Sequence, residues 1–270
     1  LLSVAGMLTT AAFVAPSPAL AAQLAHFESA PPRLGSDSAE DRKPTPIQGV
    51  LSRPKGAGPF PAVVLLHSCL GPPSDRRSMV DGIADWGYVA LFVDDFTTRG
   101  VKETCAVDFP EGISDAYGAL SYLATLPYVD LARVAVVGFS QGADTALQIA
   151  TARFASAFDA PRGVRFKAAA ALYPPCANLS GAVLALPTLV LIGESDSVTP
   201  AADCERLAKN QQAPGDDFKL VVYPGVGHGF DNPDFAGGKR LLGMRLGYDA
   251  VAAEKARSEL HDFLAAKLVR

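Results

Sequence analysis

Six short apolar runs, spaced along the chain and separated by helical stretches, restrict the fold more than any other feature. They are Pro61–His67, Tyr88–Asp94, Val134–Phe139, Ala168–Tyr173, Thr188–Gly193 and Phe218–Tyr223. Each is apolar without the in–out alternation of a half-exposed strand, and most are β-branched. That is the pattern of a strand covered on both faces. Helical segments are expected at about 76–86, 112–126, 141–156, 200–212 and 248–268. In the last, Val251, Leu260, Phe263, Leu264 and Leu268 gather mostly on one face, with Glu254, Lys255, Arg257 and Asp262 on the others. Strand and helix in alternation give an α/β fold, a mostly parallel central sheet with helices on both faces. Ile47–Arg53 reads as one more short strand, and Ala25–Ser29 as another candidate. No internal repeat or low-complexity linker divides residues 23–270, so one domain is expected there.

The residues before it read differently. The first 22 are apolar, uncharged and then small and Pro-rich, ending in Ala19-Leu20-Ala21-Ala22. This fits the end of a signal peptide with an A-x-A cleavage site, and predicts an exported, periplasmic or extracellular protein. A short buried helix or a membrane anchor is the alternative, which Pro16 and Pro18 disfavour. No other run is long enough to cross a bilayer. The net charge of −4, with no basic block, argues against a nucleic-acid partner.

In a parallel sheet, reactive groups sit in loops at the carboxyl ends of strands. Directly after the run 134–139 lies Gly138-Phe139-Ser140-Gln141-Gly142, the G-x-S-x-G turn that presents a nucleophilic serine. A serine hydroxyl needs a histidine to take its proton and an acid to orient that histidine. The chain has four histidines. His26 and His67 precede Ser140, and His261 lies on the last helix. His228, between Gly227 and Gly229, follows the strand ending at Tyr223. Asp196 follows the strand 188–193 and lies between Ser140 and His228, which gives the order Ser, acid, His. Glu194, Asp203, Asp144 and Asp231 are rivals, read as loop or helix carboxylates. The expected triad is Ser140, Asp196 and His228. An oxyanion requires two backbone N–H donors. Gln141 is expected to supply one and Cys69 the other, with Ser68 next in line. No metal or cofactor is implied.

The segments "LLHSCLG", "GYVALFVDDFTTRG", "DAYGALSYLATLPYVD", "VGFSQGAD", "LIGESDSVTP" and "YPGVGHGF" resemble the dienelactone hydrolase family of α/β-hydrolases, from about Pro61 to Leu268. The resemblance implies a hydrolase fold without a large lid domain, acting on small or medium carboxylic esters or lactones through an acyl-enzyme. Two departures bear on substrate. Founding members use a cysteine nucleophile where this chain has Ser140, and an acidic residue tied to it where this chain has Ser68. Arg99 resembles a ligand for a substrate carboxylate, and a salt link to Asp94 or Asp95 is the equal alternative. Two other functions share the pattern. One is a peptidase of the same fold, usually with a further domain. The other is a binding module that kept the fold, which would be expected to have lost a triad residue.

Four cysteines allow three pairings, or four free thiols. There is no C-x-x-C spacing for a zinc cluster. Cys69 and Cys105 follow consecutive strands, as do Cys176 and Cys204, and consecutive elements are often neighbours. Disulfides Cys69–Cys105 and Cys176–Cys204 are therefore expected.

Overall fold

A computed structural model describes residues 20–30, 43–107, 109, 111–155, 158, 163–179, 181–211 and 217–269. Ten strands are present among them: β1 (Leu20–Glu28), β2 (Pro46–Arg53), β3 (Phe60–Leu66), β4 (Val89–Asp94), β5 (Val129–Phe139), β6 (Ala168–Leu172), β7 (Thr188–Gly193), β8 (Phe218–Tyr223), β9 (Lys239–Leu241) and β10 (Met244–Leu246). The helices are α1 (Arg76–Asp85), α2 (Glu111–Leu123), α3 (Gln141–Ala150), α4 (Ala152–Ala155), α5 (Ala201–Lys209) and α6 (Ala250–Leu264).

Eight strands form one sheet in the order β1-β2-β4-β3-β5-β6-β7-β8. β1, β2 and β4 pair antiparallel in turn, and every pair from β4 to β8 is parallel. Every residue of β4, β6 and β7 is buried. Burial of successive residues requires cover on both faces, which is why these strands show no alternation in sequence. α1 packs on β1, β2 and β4, α2 on β1 and β3–β5, α3 on β3, β5 and β6, α5 on β7 and β8, and α6 on β7.

Several elements depart from expectation. β8, read as covered on both faces, is the edge strand of the sheet and is only partly buried. β5 begins at Val129, five residues before the apolar run. Its first turn is masked in sequence by Asp130 and Arg133, which pair with each other at 2.8 Å. The helix expected over 141–156 breaks at Thr151, whose backbone is extended (ψ 149°) and bridges to Leu184. The β9–β10 hairpin carries no apolar alternation, because all three residues of β9 are exposed. The expected leader falls largely outside the described residues. Its last three residues, Leu20–Ala22, open β1, with Leu20 opposite Arg53. No helix among the described residues is long and apolar enough to cross a membrane.

The parallel strands share one carboxyl end. Within a few residues of it lie His67 after β3, Asp95 after β4, Ser140 after β5, Tyr173 after β6, Asp196 after β7 and His228 after β8.

Candidate active site

Ser140 sits at the turn between β5 and α3 with φ 52° and ψ −111°. A residue with a Cβ rarely adopts positive φ, and such strain is concentrated at functional sites. The turn is held from both sides: the Ser140 N–H donates to Leu172 O at 2.9 Å, and Ser140 O accepts from Ala143 N at 2.9 Å. It also demands the two glycines of the pentapeptide. A Cβ on Gly138 would lie 2.0 Å from Gly142 O, and one on Gly142 would lie 2.4 Å from Leu66 O. Both contacts are with backbone and cannot be relieved by a side-chain rotation.

The structure brings Ser140, His228 and Asp196 together. His228 Nε2 lies 3.0 Å from Ser140 Oγ, and His228 Nδ1 lies 2.7 Å from Asp196 Oδ2. All three are buried. The Asp196 carboxylate is surrounded by donors. Oδ1 accepts from the N–H groups of Val198 and Thr199, both at 2.8 Å, and Oδ2 lies 3.0 Å from Thr199 Oγ1. Thr199 is a partner that sequence reasoning missed. Tyr173 is the other omission. Its ring meets His228 edge-on at 4.6 Å between centroids, and its hydroxyl donates to Asp231 Oδ1 at 2.7 Å.

The rival residues have other partners. Glu194 accepts from Gly225 N at 2.9 Å, bracing the loop before His228. Asp144 accepts from Gln148 Nε2, and Asp203 pairs with Arg206. His261, on α6, lies edge-on to Trp86 at the end of α1, and His26 lies in β1 opposite Gln48.

Cys69 and Ser68 both line the cavity beside Ser140. The loop is tied to the elbow because the Gly142 N–H donates to His67 O at 3.1 Å. Thr104 ties the Cys69 and Gln141 segments together: its N–H donates to Cys69 O at 2.9 Å and its hydroxyl to Gln141 Oε1 at 2.7 Å. Neither the Cys69 N–H nor the Gln141 N–H has an acceptor among the described residues.

Arg99 requires a correction. Its guanidinium makes a two-pronged ion pair with buried Asp115, 2.9 Å on each prong, and one nitrogen also donates to Asp95 O at 2.7 Å. Arg99 does not line the cavity. Burying the Asp115 carboxyl without a partner would be costly, so the arginine is held by α2. Asp115 lies 16 residues away on a different element, and nothing local in sequence marks the pair.

Both disulfides close at the carboxyl end of the sheet. Cys69 bonds Cys105 with Cα atoms 4.8 Å apart, and Cys176 bonds Cys204 with Cα atoms 5.0 Å apart. The first encloses Thr104 and the Cys69 loop. The second fastens α5, which follows Asp196 and Thr199, to the segment after β6. Each is expected to contribute about 2–4 kcal/mol. Thiol reduction should therefore lower the melting temperature by roughly 5–10 °C per bond. Turnover should fall with it in Cys69→Ala/Cys105→Ala, measured well below the melting point. Unchanged turnover in that double variant would show that the loop keeps its shape without the bond.

The cavity encloses about 580 Å³. Ser140 and His228 lie on its wall with Trp86, Met79 and Leu246, and the β9–β10 hairpin contributes Leu241 and Met244. The hairpin is strapped down by the Gly247 N–H, which donates to His228 O at 3.1 Å. Four carboxylate residues also line the cavity, Asp75, Asp231, Asp234 and Glu254, together with one arginine, Arg257. Burial pushes Asp231 up to about 6, against the Tyr173 hydrogen bond and with help from the Asp75 charge. Burial and the charge of Asp234 likewise raise Asp75.

Against known proteins, the profile of the dienelactone hydrolase family matches residues 47–268. The chain belongs to this family. Membership carries the family's reaction class, hydrolysis of carboxylic esters. The chain is 26% identical over 235 residues to a Synechocystis protein named a candidate carboxymethylenebutenolidase, covering 78% of this chain and 87% of that one. Among solved structures it is similar to P91, a dienelactone hydrolase-like promiscuous phosphotriesterase from metagenomic libraries. That likeness has a TM-score of 0.68 at 18% identity, over 92% of this chain and 99% of the other. A candidate dienelactone hydrolase from Klebsiella pneumoniae gives 0.61 at 20% identity, over 90% and 99%. These likenesses establish the α/β-hydrolase fold.

Proposed function

We propose that this dienelactone hydrolase family member is an exported serine esterase of small or medium uncharged esters. The observation that carries the reading is the run of contacts from Ser140 Oγ to His228 Nε2 at 3.0 Å and from His228 Nδ1 to Asp196 Oδ2 at 2.7 Å. Ser140 Oγ attacks the ester carbonyl carbon as His228 Nε2 takes its proton, and Asp196 stabilises the imidazolium. The carbonyl oxygen becomes an oxyanion, held by the N–H groups of Cys69 and Gln141. Collapse expels the alcohol, which receives the proton from His228. Water then attacks the acyl-enzyme by the same steps in reverse and frees the acid.

The cavity supports the substrate class. Its volume is in the range of small-molecule sites. Its four carboxylate residues outnumber the one arginine of the wall, Arg257, which stacks over Trp86, and so disfavour a substrate that itself carries a carboxylate; Arg99 is engaged elsewhere. Export is supported by the two disulfides, which persist in oxidising compartments, and by the composition of residues 1–22.

A panel of p-nitrophenyl esters set against dienelactone, which bears a carboxylate, tests the reading. The neutral acetate and butyrate esters should be turned over with the higher kcat/KM near neutral pH. A preference for the carboxylate-bearing lactone would overturn the substrate assignment.

A further inference from the structure

We propose that His67 is a positioning residue for the oxyanion site, holding the Ser68 carbonyl so that the Cys69 N–H is aimed into the cavity. The proposal rests on the esterase reading above. Ser68 C=O and Cys69 N–H belong to one planar trans peptide, in which the two groups point in opposite directions. Whatever grips the carbonyl from behind therefore sets the direction of the N–H in front. Two donors grip it: Gly71 N–H at 3.0 Å, and His67 Nδ1 at 2.7 Å.

For Nδ1 to donate, it must carry a proton. On the other side of the ring a carboxylate favours a proton on Nε2 as well. Asp95 Oδ1 lies 2.7 Å from Nε2, off the hydrogen-bond axis. A lone pair on Nε2 would face a carboxylate oxygen at that distance, whereas a protonated nitrogen is attracted to it. With the Ser68 carbonyl at Nδ1 and the Asp95 carboxylate beside Nε2, the setting favours the imidazolium. It is buried, with Phe96 edge-on at 4.5 Å between centroids and Phe92 stacked at 6.3 Å.

The surrounding charges agree. Asp95 lies against the ring at 2.7 Å, whereas Asp115 is paired with Arg99 and pushed up to about 7 by burial. Asp94, the remaining nearby carboxylate, accepts from Gln48 Nε2 and from Thr97. Burial alone would lower the His67 pKa. The charge and contact of Asp95, then the Ser68 carbonyl and Asp94, raise it above the ordinary histidine value. The protonated form therefore persists to higher pH than in an ordinary histidine and is lost as pH rises through that raised value.

Three consequences separate positioning from mere support. Removing an oxyanion donor costs about a hundredfold or more in kcat. Loosening its aim while Gly71 still holds the carbonyl should cost on the order of tenfold, in kcat rather than KM. His67→Leu should show that loss. His67→Asn places an amide nitrogen where Nδ1 stood and leaves Asp95 equally unpaired, so it should recover most of the kcat without the charge. The wild type should lose kcat on the alkaline side, and that limb should be absent from His67→Asn.

The experiment is steady-state ester hydrolysis across pH by the wild type, both His67 variants and Ser140→Ala, with melting temperatures alongside. Higher kcat in Asn than in Leu at similar melting temperature, with the limb lost, supports the proposal. Equal kcat in the two variants, or the same alkaline limb in His67→Asn, overturns it while a dead Ser140→Ala leaves the esterase reading standing. A Ser140→Ala enzyme that keeps its activity overturns both. The wild-type limb needs no variant to fold: a flat alkaline profile also overturns the proposal.

Discussion

Ser140→Ala is expected to lower kcat for ester hydrolysis by about 10⁶-fold, with no comparable change in melting temperature. Loss of the nucleophile alone removes about as much as loss of a whole triad, because the remaining two groups have nothing to activate. The residue left behind still has an oxyanion site and a cavity, so substrate should bind with little change. The stability side is small and has two opposing parts. The hydroxyl is His228's partner at 3.0 Å, and losing one such bond costs about 1 kcal/mol. The backbone strain at φ 52° remains in the alanine variant. Ser140→Gly removes it, because glycine adopts positive φ without penalty. The glycine variant should be as inactive as the alanine variant and melt at a temperature no lower. Residual activity above a thousandth of wild type in purified Ser140→Ala would remove Ser140 from the nucleophile's place.

Much of this arrangement was legible before any coordinates, for a reason tied to how parallel sheets are built. A strand buried on both faces has to be apolar throughout, so β4, β6 and β7 appear in the sequence as uninterrupted runs, and their carboxyl ends can be counted. Ser140 and Asp196 were marked by position after such a run and His228 by position after the partly buried edge strand β8, and the structure brings the three within hydrogen-bond distance. What stayed hidden was contact between elements. Arg99, in the turn after β4, meets Asp115 on α2, and neither residue type nor spacing announces it. Tyr173 ends a run and looks like its last strand residue, yet its backbone turns to φ 44° and delivers the ring to His228. Thr199 looks like a helix cap, and its hydroxyl instead faces Asp196. The β9–β10 hairpin escaped because its side chains are exposed and follow no period, although Leu241 and Met244 wall the cavity. His67 was set aside because it precedes Ser140, which is a rule about proton transfer and says nothing about who holds the oxyanion loop.

The second large effect is expected at Asp196→Asn, where kcat should fall by about 10⁴-fold with KM little changed. The variant keeps shape and volume, so the argument turns on hydrogens. Asp196 Oδ1 accepts two backbone N–H groups at 2.8 Å each. An asparagine will keep its oxygen there, since an NH₂ group facing two N–H donors would leave buried donors unsatisfied. Its NH₂ then takes the Oδ2 position and donates toward His228 Nδ1, 2.7 Å away in the wild type. Thr199 Oγ1, 3.2 Å from Nδ1, can turn its proton to the Tyr173 carbonyl and does not restore the carboxylate. His228 must accept from the new amide, so its Nδ1 carries the lone pair and its Nε2 the proton. In that tautomer Nε2 faces Ser140 with a proton already on it and cannot take another. The negative charge that would stabilise an imidazolium is gone as well. The fold should survive, because the two backbone bonds to the 196–199 turn are retained and the Cys176–Cys204 bond fastens the helix beyond it. The check is kcat and KM for a neutral p-nitrophenyl ester, with the rate of fluorophosphonate labelling of Ser140 measured in parallel. Both rates should fall together, since both require His228 to accept the serine proton. An Asp196→Asn enzyme within tenfold of wild type in either rate would mean that another group orients His228.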